Sequence, residues 1–170
     1  MSIIQTSNFT GKYALPQGMY VSNNISNYIT IYEGKYLREL LGVDLYNLFE
    51  ADLILGVTQP TEPRFLVIWD QLNFDYSNMV YRSEGFHQML KGFIYFEYLK
   101  DSINEITPIG NVKPIGENSQ TVNTLGSTMY GRYNDAIKSY NTIQKYIQVN
   151  PLDYDYSDFN GVHKSYNYWL

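Results

Sequence analysis

The sequence predicts a mainly α-helical fold: a small bundle of about four or five helices, an extended N-terminal arm, a long mid-chain loop with room for short strands, and an extended C-terminal tail. Three observations predict it. Apolar residues recur every three or four positions through residues 24–41, 83–103 and 120–148. Glycine and proline break that period at Gly42, Gly56, Pro63, Pro108, Pro114 and Pro151, where helices stop or start. The C-terminal stretch is rich in aromatic residues but poor in aliphatic ones. The 170 residues make one domain by size. They divide into an arm (1–22), a helical domain (23–150) containing a loop (104–118), and an aromatic tail (151–170).

In the arm, Gly11, Pro16 and Gly18 interrupt Tyr13, Leu15, Met19 and Val21, which reads as an extended segment or a short strand with turns. The first helix spans about Asn24 to Leu41, with Ile25, Tyr28, Ile29, Tyr32, Tyr36, Leu37, Leu40 and Leu41 on one face. Asn23 or Asn24 caps its start, and Gly42 ends it at a backbone conformation cheap only for glycine. A second helix follows from about Val43 to Leu55, with Asp44 near its positive end, and stops at Gly56. Residues 57–63 form a loop, and Thr61 caps a third helix that has Pro63 in its first turn. That helix carries Phe65, Leu66, Ile68, Trp69 and Leu72, and Asn73 to Arg82 reads as a loop with a turn.

Ser83 opens a fourth helix reaching about Ile103. Its wide apolar arc of Phe86, Met89, Leu90, Phe93, Ile94, Phe96 and Leu99 predicts the central helix. Residues 104–118 hold Pro108, Gly110, Pro114 and Gly116 among Ile106, Ile109, Val112 and Ile115. A loop of that length is functional or ordered by a partner. The last helix runs from about Gln120 to Gln148 on a stripe of Val122, Leu125, Met129, Tyr133, Ile137, Tyr140, Ile143 and Ile147, and Asn150-Pro151 ends it. Gly126 and Gly131 either admit another backbone or are tolerated at about 1 kcal/mol each.

Charged residues are 17% of the chain and tyrosine is abundant at 18 copies. Tyrosine suits surfaces that are half buried or buried on assembly; an AT-rich coding sequence gives the same excess. The net charge of −5, with lysine and arginine scattered, leaves no phosphate-binding stripe. With no cysteine there is no disulfide, thiolate catalysis or Cys-bound metal. The N-terminus lacks the basic start and apolar run of a signal peptide, and no stretch is long enough to span a membrane, so a soluble protein made in a cytosol is expected.

No constellation for catalysis, cofactor or metal binding emerges. His87 and His163 are far apart: His87 reads as a satisfied helix residue, His163 as exposed or at a contact. Asp153, Asp155 and Asp158 lack the glycine and final glutamate of a calcium loop. Gly110 to Gly116 lacks the Lys-Ser/Thr of a phosphate loop. The expectation is a non-enzyme with no cofactor. The tail needs a surface, its own domain or a neighbour. Ile109, Val112 and Ile115 in the loop, and Tyr154, Tyr156, Phe159, Tyr166, Tyr168 and Trp169 in the tail, are the candidate protein-contact residues, completed by other chains.

Three segments carry a family resemblance. Tyr28 to Tyr46 (YITIYEGKYLRELLGVDLY), Glu84 to Asp101 with its Lys91-Gly-Phe-Ile-Tyr-Phe-Glu-Tyr core, and Pro114-Ile-Gly-Glu-Asn-Ser-Gln-Thr-Val before Tyr133-Asn-Asp-Ala-Ile occur in one order. Together they resemble the head–tail connector (adaptor ring) proteins of tailed phages, of the crAss-like type, over about residues 20–150. The resemblance implies a helical subunit in a ring of about twelve copies under the portal protein, adjoining a tail or second ring protein, at the neck of a virion assembled in the host cytoplasm. Genomic DNA would pass through without sequence-specific binding and no membrane would be involved. The alternatives are a stopper or other tail-completion protein, a non-phage helical scaffold, and, last, a small enzyme using carboxylates and tyrosines.

Overall fold

The computed structural model describes residues 2–15, 19–56, 59–102, 105–107, 110–112, 124–154 and 161–167. The chain is mainly helical, with 71% of the described residues in helices. The elements are α1 (Met19–Gly56), α2 (Pro63–Trp69), β1 (Leu72–Tyr76), β2 (Met79–Ser83), α3 (Gly85–Ser102), β3 (Glu105–Thr107), β4 (Gly110–Val112), α4 (Thr124–Val149) and α5 (Pro151–Tyr154).

The expected break at Gly42 is present inside α1. Gly42 has φ 75° and ψ 174°, a conformation that side-chain-bearing residues avoid, so the two expected helices meet at a sharp corner. The first of them starts at Met19, upstream of the expected start, which puts Asn23 and Asn24 inside the helix rather than at its cap. Thr61 does not cap α2. Pro63 is at the helix start and Glu62 at the N-cap position. The free backbone donors there go to the buried Asp52 of α1. It accepts the N–H of Thr61 at 2.8 Å, the N–H of Glu62 at 3.0 Å, and the Thr61 hydroxyl.

Residues 73–82, expected as a loop with a turn, are instead most of a β-hairpin, and Leu72 opens its first strand rather than closing a helix. β1 and β2 pair antiparallel with Phe74 opposite Tyr81 and Tyr76 opposite Met79. Ser77 and Asn78 both take positive φ (49° and 63°), as a two-residue type I′ turn requires. Phe74 stacks on Tyr81 with ring centroids 5.0 Å apart, and Tyr146 of α4 meets Phe74 edge-on at 5.2 Å. Thr142 of α4 donates to the Arg82 carbonyl at 3.2 Å, and Ser139 accepts the Glu84 N–H at 3.1 Å, so the hairpin is seated on α4.

α3 is the central helix, with 12 of its 18 residues buried. α4 lies against it so closely that a Cβ at Gly92 would be 2.8 Å from the Ala136 Cβ and 3.0 Å from the Arg132 carbonyl oxygen. Within the span 104–118, β3 and β4 form a short antiparallel hairpin with Ile106 opposite Asn111. The N-terminal arm winds through 3₁₀ turns at Thr6–Asn8 and Gly11–Tyr13 and buries Ile4, Phe9 and Tyr13 in the core of its own domain. Glu33 of α1 fixes the first residues, accepting the N–H groups of Ile3 (2.9 Å) and Ile4 (2.8 Å) and the Ser2 hydroxyl (3.1 Å). The arm is therefore completed within its own chain, contrary to the expectation that the ends need other subunits.

Candidate functional site

The tail lies in a groove between α1 and α4. Its floor is aromatic. Tyr36 stacks on Phe93 with centroids 4.1 Å apart and planes 12° from parallel, and Tyr140 meets Phe93 edge-on at 6.0 Å. The Tyr36 hydroxyl donates to the buried Glu97 at 2.7 Å. Burial and that carboxylate both push the Tyr36 phenol well above its ordinary range, so it stays protonated and holds its ring in place.

Into this floor the tail inserts Lys164. Its Nζ is 2.6 Å from Glu39 Oε2 and lies 4.8, 5.2 and 5.7 Å from the ring centroids of Tyr36, Tyr140 and Phe93. Only 12% of the lysine side chain is exposed. An ammonium facing aromatic rings gains electrostatic attraction, and more of it where water is excluded. Lys12 and Lys35 also approach tyrosine rings, but among the described residues only Lys164 faces three rings and also bonds a carboxylate.

The tail backbone is gripped from both walls. Glu39 stands in the last turn before the Gly42 corner, where helix carbonyls lose in-helix partners, and its carbonyl accepts the Val162 N–H at 2.8 Å. From α4, Asn141 donates to the Lys164 carbonyl at 3.0 Å. Asn134 makes a two-point contact with Asn167, donating to its carbonyl at 2.7 Å and accepting its N–H at 3.0 Å. Asn134 and Asn141 are two helical turns apart and share a face, and the tail runs antiparallel to α4 across them.

No protein-family model matches this chain, and neither the curated proteins nor the solved structures compared with it give a match.

The sequence-predicted contact residues distribute unevenly around this groove. Tyr166 is in the docked tail with its side chain exposed. Tyr154 is buried in its own domain, meets Tyr146 edge-on at 6.1 Å and donates its hydroxyl to the Arg64 carbonyl at 2.5 Å. It anchors the chain rather than offering itself to a neighbour. Val112 is on β4. Ile109, Ile115, Tyr156, Phe159, Tyr168 and Trp169 lie outside the described residues. His163 is exposed and borders an open cavity of about 410 Å³ shared with Tyr81, Asn141, Gln144, Lys145, Gln148 and Gly161. His87 is half-buried with its ring 5.0 Å from Trp69, and burial together with Lys91 holds the imidazole below its ordinary range.

The groove residues Glu39, Asn134, Asn141 and Lys164 were not singled out from sequence as a contact site. The available signal was Asn134 and Asn141 at seven-residue spacing beside the apolar stripe of α4. Among the described residues, no group of three or more His, Asp or Glu is placed to hold a metal ion, and no helix is long and apolar enough to cross a membrane.

Proposed function

We propose that this chain is a structural subunit of a head–tail connector ring of a tailed phage, joining the portal to a tail or second ring protein around the DNA channel. The observation that carries the reading is exposed apolar side chains at two separate places on the domain. Just past the Gly42 corner, Val43 is 66% and Leu48 50% exposed. At the hairpin, Met79 is 60% and Val80 75% exposed. Contiguous apolar patches, rather than single exposed residues, mark contact surfaces, and Met79 and Val80 are neighbours at the hairpin turn. A ring closes by repeating one contact between two different patches, head to tail, and needs two such surfaces on each subunit.

Two further points support it. Of the three segments that carry the resemblance to connector proteins, 28–46 hold the α1 corner and 84–101 the central helix, while in the third 133–137 are on α4 and 114–122 lie outside the described residues. A charge of −5 per chain, repeated around a ring, makes an acidic tube that repels the DNA backbone, so DNA slides through it.

Native mass spectrometry and negative-stain imaging of the purified chain, alone and with a phage portal protein, test the reading. Rings in either sample are expected, and Leu48→Asp or Val80→Asp abolishes them while leaving the helical circular dichroism intact. A chain that stays monomeric in both samples sinks the proposal.

A further inference from the structure

The walls and floor of the groove between α1 and α4 are built by residues of α1, α3 and α4, none of them in the tail. The hydrophobic core of the described residues extends to Tyr154 and includes no residue of 161–167. Tyr36, Phe93 and Tyr140 belong to α1, α3 and α4 and are buried with the tail docked on them, and Tyr36 is fixed by Glu97. The acceptor carbonyl of Glu39 is presented by the Gly42 corner, and Asn134 and Asn141 by α4. The tail, in turn, makes no secondary structure over 161–167, and the side chains of Val162, His163, Ser165, Tyr166 and Asn167 are exposed. It touches the domain as a bound peptide would: one lysine in an aromatic and acidic pocket, with backbone bonds on either side.

We infer that this groove is a receptor for the tail of a second copy of this chain, and that neighbouring subunits exchange segment 161–167 through Lys164. The recognition chemistry favours that occupant. The pocket selects an ammonium by Glu39 and three rings, and the two-point contact of Asn134 selects an extended backbone. No part of that set distinguishes the chain's own tail from a copy's. In dilute solution the covalently attached tail wins, because attachment gives it an effective concentration on the order of millimolar. Where copies are held side by side, that advantage disappears and exchange ties one subunit to the next. Tyr154 remains the home anchor, and the six residues 155–160 limit the reach to a contour of about 20 Å.

The absence of cysteine in the chain makes the test clean. Lys138, between the two gripping asparagines on α4, and Ser165 in the tail are exposed and take no part in the bonds described. Full-length Lys138→Cys chains are mixed with Ser165→Cys chains carrying a size tag, over a range of concentrations, and joined with a short bis-maleimide. Exchange gives a cross-chain product that rises with concentration. Adding Lys164→Met to the tail donor lowers its yield by about tenfold or more. Adding the same substitution to the groove donor raises it, because that chain's own tail no longer competes. Glu39→Gln on the groove donor lowers it, and circular dichroism of each variant confirms that folding is retained. The inference is overturned if the mixture gives no cross-chain product at any concentration while a Lys138→Cys/Ser165→Cys chain links internally. It is equally overturned if the product forms but ignores Lys164. Rings without exchange would remove this inference and leave the connector reading standing; exchange without rings would do the reverse.

Discussion

The hydroxyl of Tyr154 donates to the backbone carbonyl of Arg64 at 2.5 Å, pinning the end of α5 to α2 across 90 residues of sequence. Burial holds this phenol above its ordinary range, and Tyr146 and Asp153 add to the effect, so the donor keeps its proton. The self-contained domain therefore extends past Asn150 to Tyr154. Truncation after Tyr154 removes the tail contacts but leaves α5 in place, and is expected to cost less than truncation after Asn150. Truncation after Asn150 removes a buried aromatic ring and costs about 3–5 kcal/mol, as does Tyr154→Ala. Tyr154→Phe, which keeps the ring and drops one bond, costs about 1 kcal/mol. Urea unfolding of the four chains separates these outcomes; equal stability of both truncations would show that α5 does not belong to the core.

Two glycines on the α3–α4 pair predict opposite signs for the same substitution. At Gly92 an added methyl meets Ala136 at 2.8 Å and the Arg132 carbonyl at 3.0 Å, so Gly92→Ala must push the helices apart. Overpacking of this kind costs about 1–3 kcal/mol. At Gly131 an added methyl meets nothing within 4 Å, and the residue is helical and exposed. Gly131→Ala is expected to gain about 0.5–1 kcal/mol from helix propensity and a less disordered unfolded chain. Thermal midpoints moving in the same direction would contradict the helix packing described.

The contrast between Gly42 and the Ser77-Asn78 turn shows what the sequence makes legible. Gly42 interrupts a strong apolar period, so the corner and the helices around it are readable from spacing alone. The hairpin is signalled only by alternation at Leu72, Phe74, Tyr76 and Met79, Tyr81, Ser83, joined by Ser-Asn, a weaker turn signal than Asn-Gly. Its polar residues between aromatics imitate a loop, and the contacts that decide the matter come from Tyr146 and Thr142, more than 50 residues away. The groove was unreadable for the same reason. Glu39 and Lys164 are 125 residues apart, and only packing of α1, α3 and α4 makes their pocket. The tyrosine excess is partly explained inside the chain: Tyr13, Tyr36, Tyr46, Tyr95, Tyr98, Tyr140 and Tyr154 are buried in the subunit itself.

Asp52 links α1 to the start of α2, and its ionisation gives the fold an acid-sensitive point. Burial alone would raise its pKa, but the bonds from Thr61 and Glu62, helped by Arg64, outweigh that and hold the carboxyl below the usual range. A group depressed in the folded state contributes stability above its unfolded pKa and loses it as pH falls through the folded value. Wild-type stability should therefore decline below about pH 4 in a step that Asp52→Ala removes. At neutral pH the substitution should cost about 1–3 kcal/mol, because three donors lose their acceptor. An acid profile identical in the two proteins would remove Asp52 from this role.

Lys164 tests whether the tail is a ligand of the domain or part of it. Lys164→Met keeps the length and apolar stem but removes the ammonium that Glu39 and the rings hold. The pair is mostly shielded from water, so its attraction is screened less by salt than that of a surface pair such as Lys12 with Glu84. Each ring contact adds on the order of 0.5–1 kcal/mol to docking. The hydrophobic core itself includes no residue of 161–167. Hydrogen exchange should therefore show the amides of Val162 and Asn167 losing protection in Lys164→Met while those of α3 keep theirs. Loss of protection throughout α3 would mean that the tail holds the bundle together, and that the groove is not a finished surface.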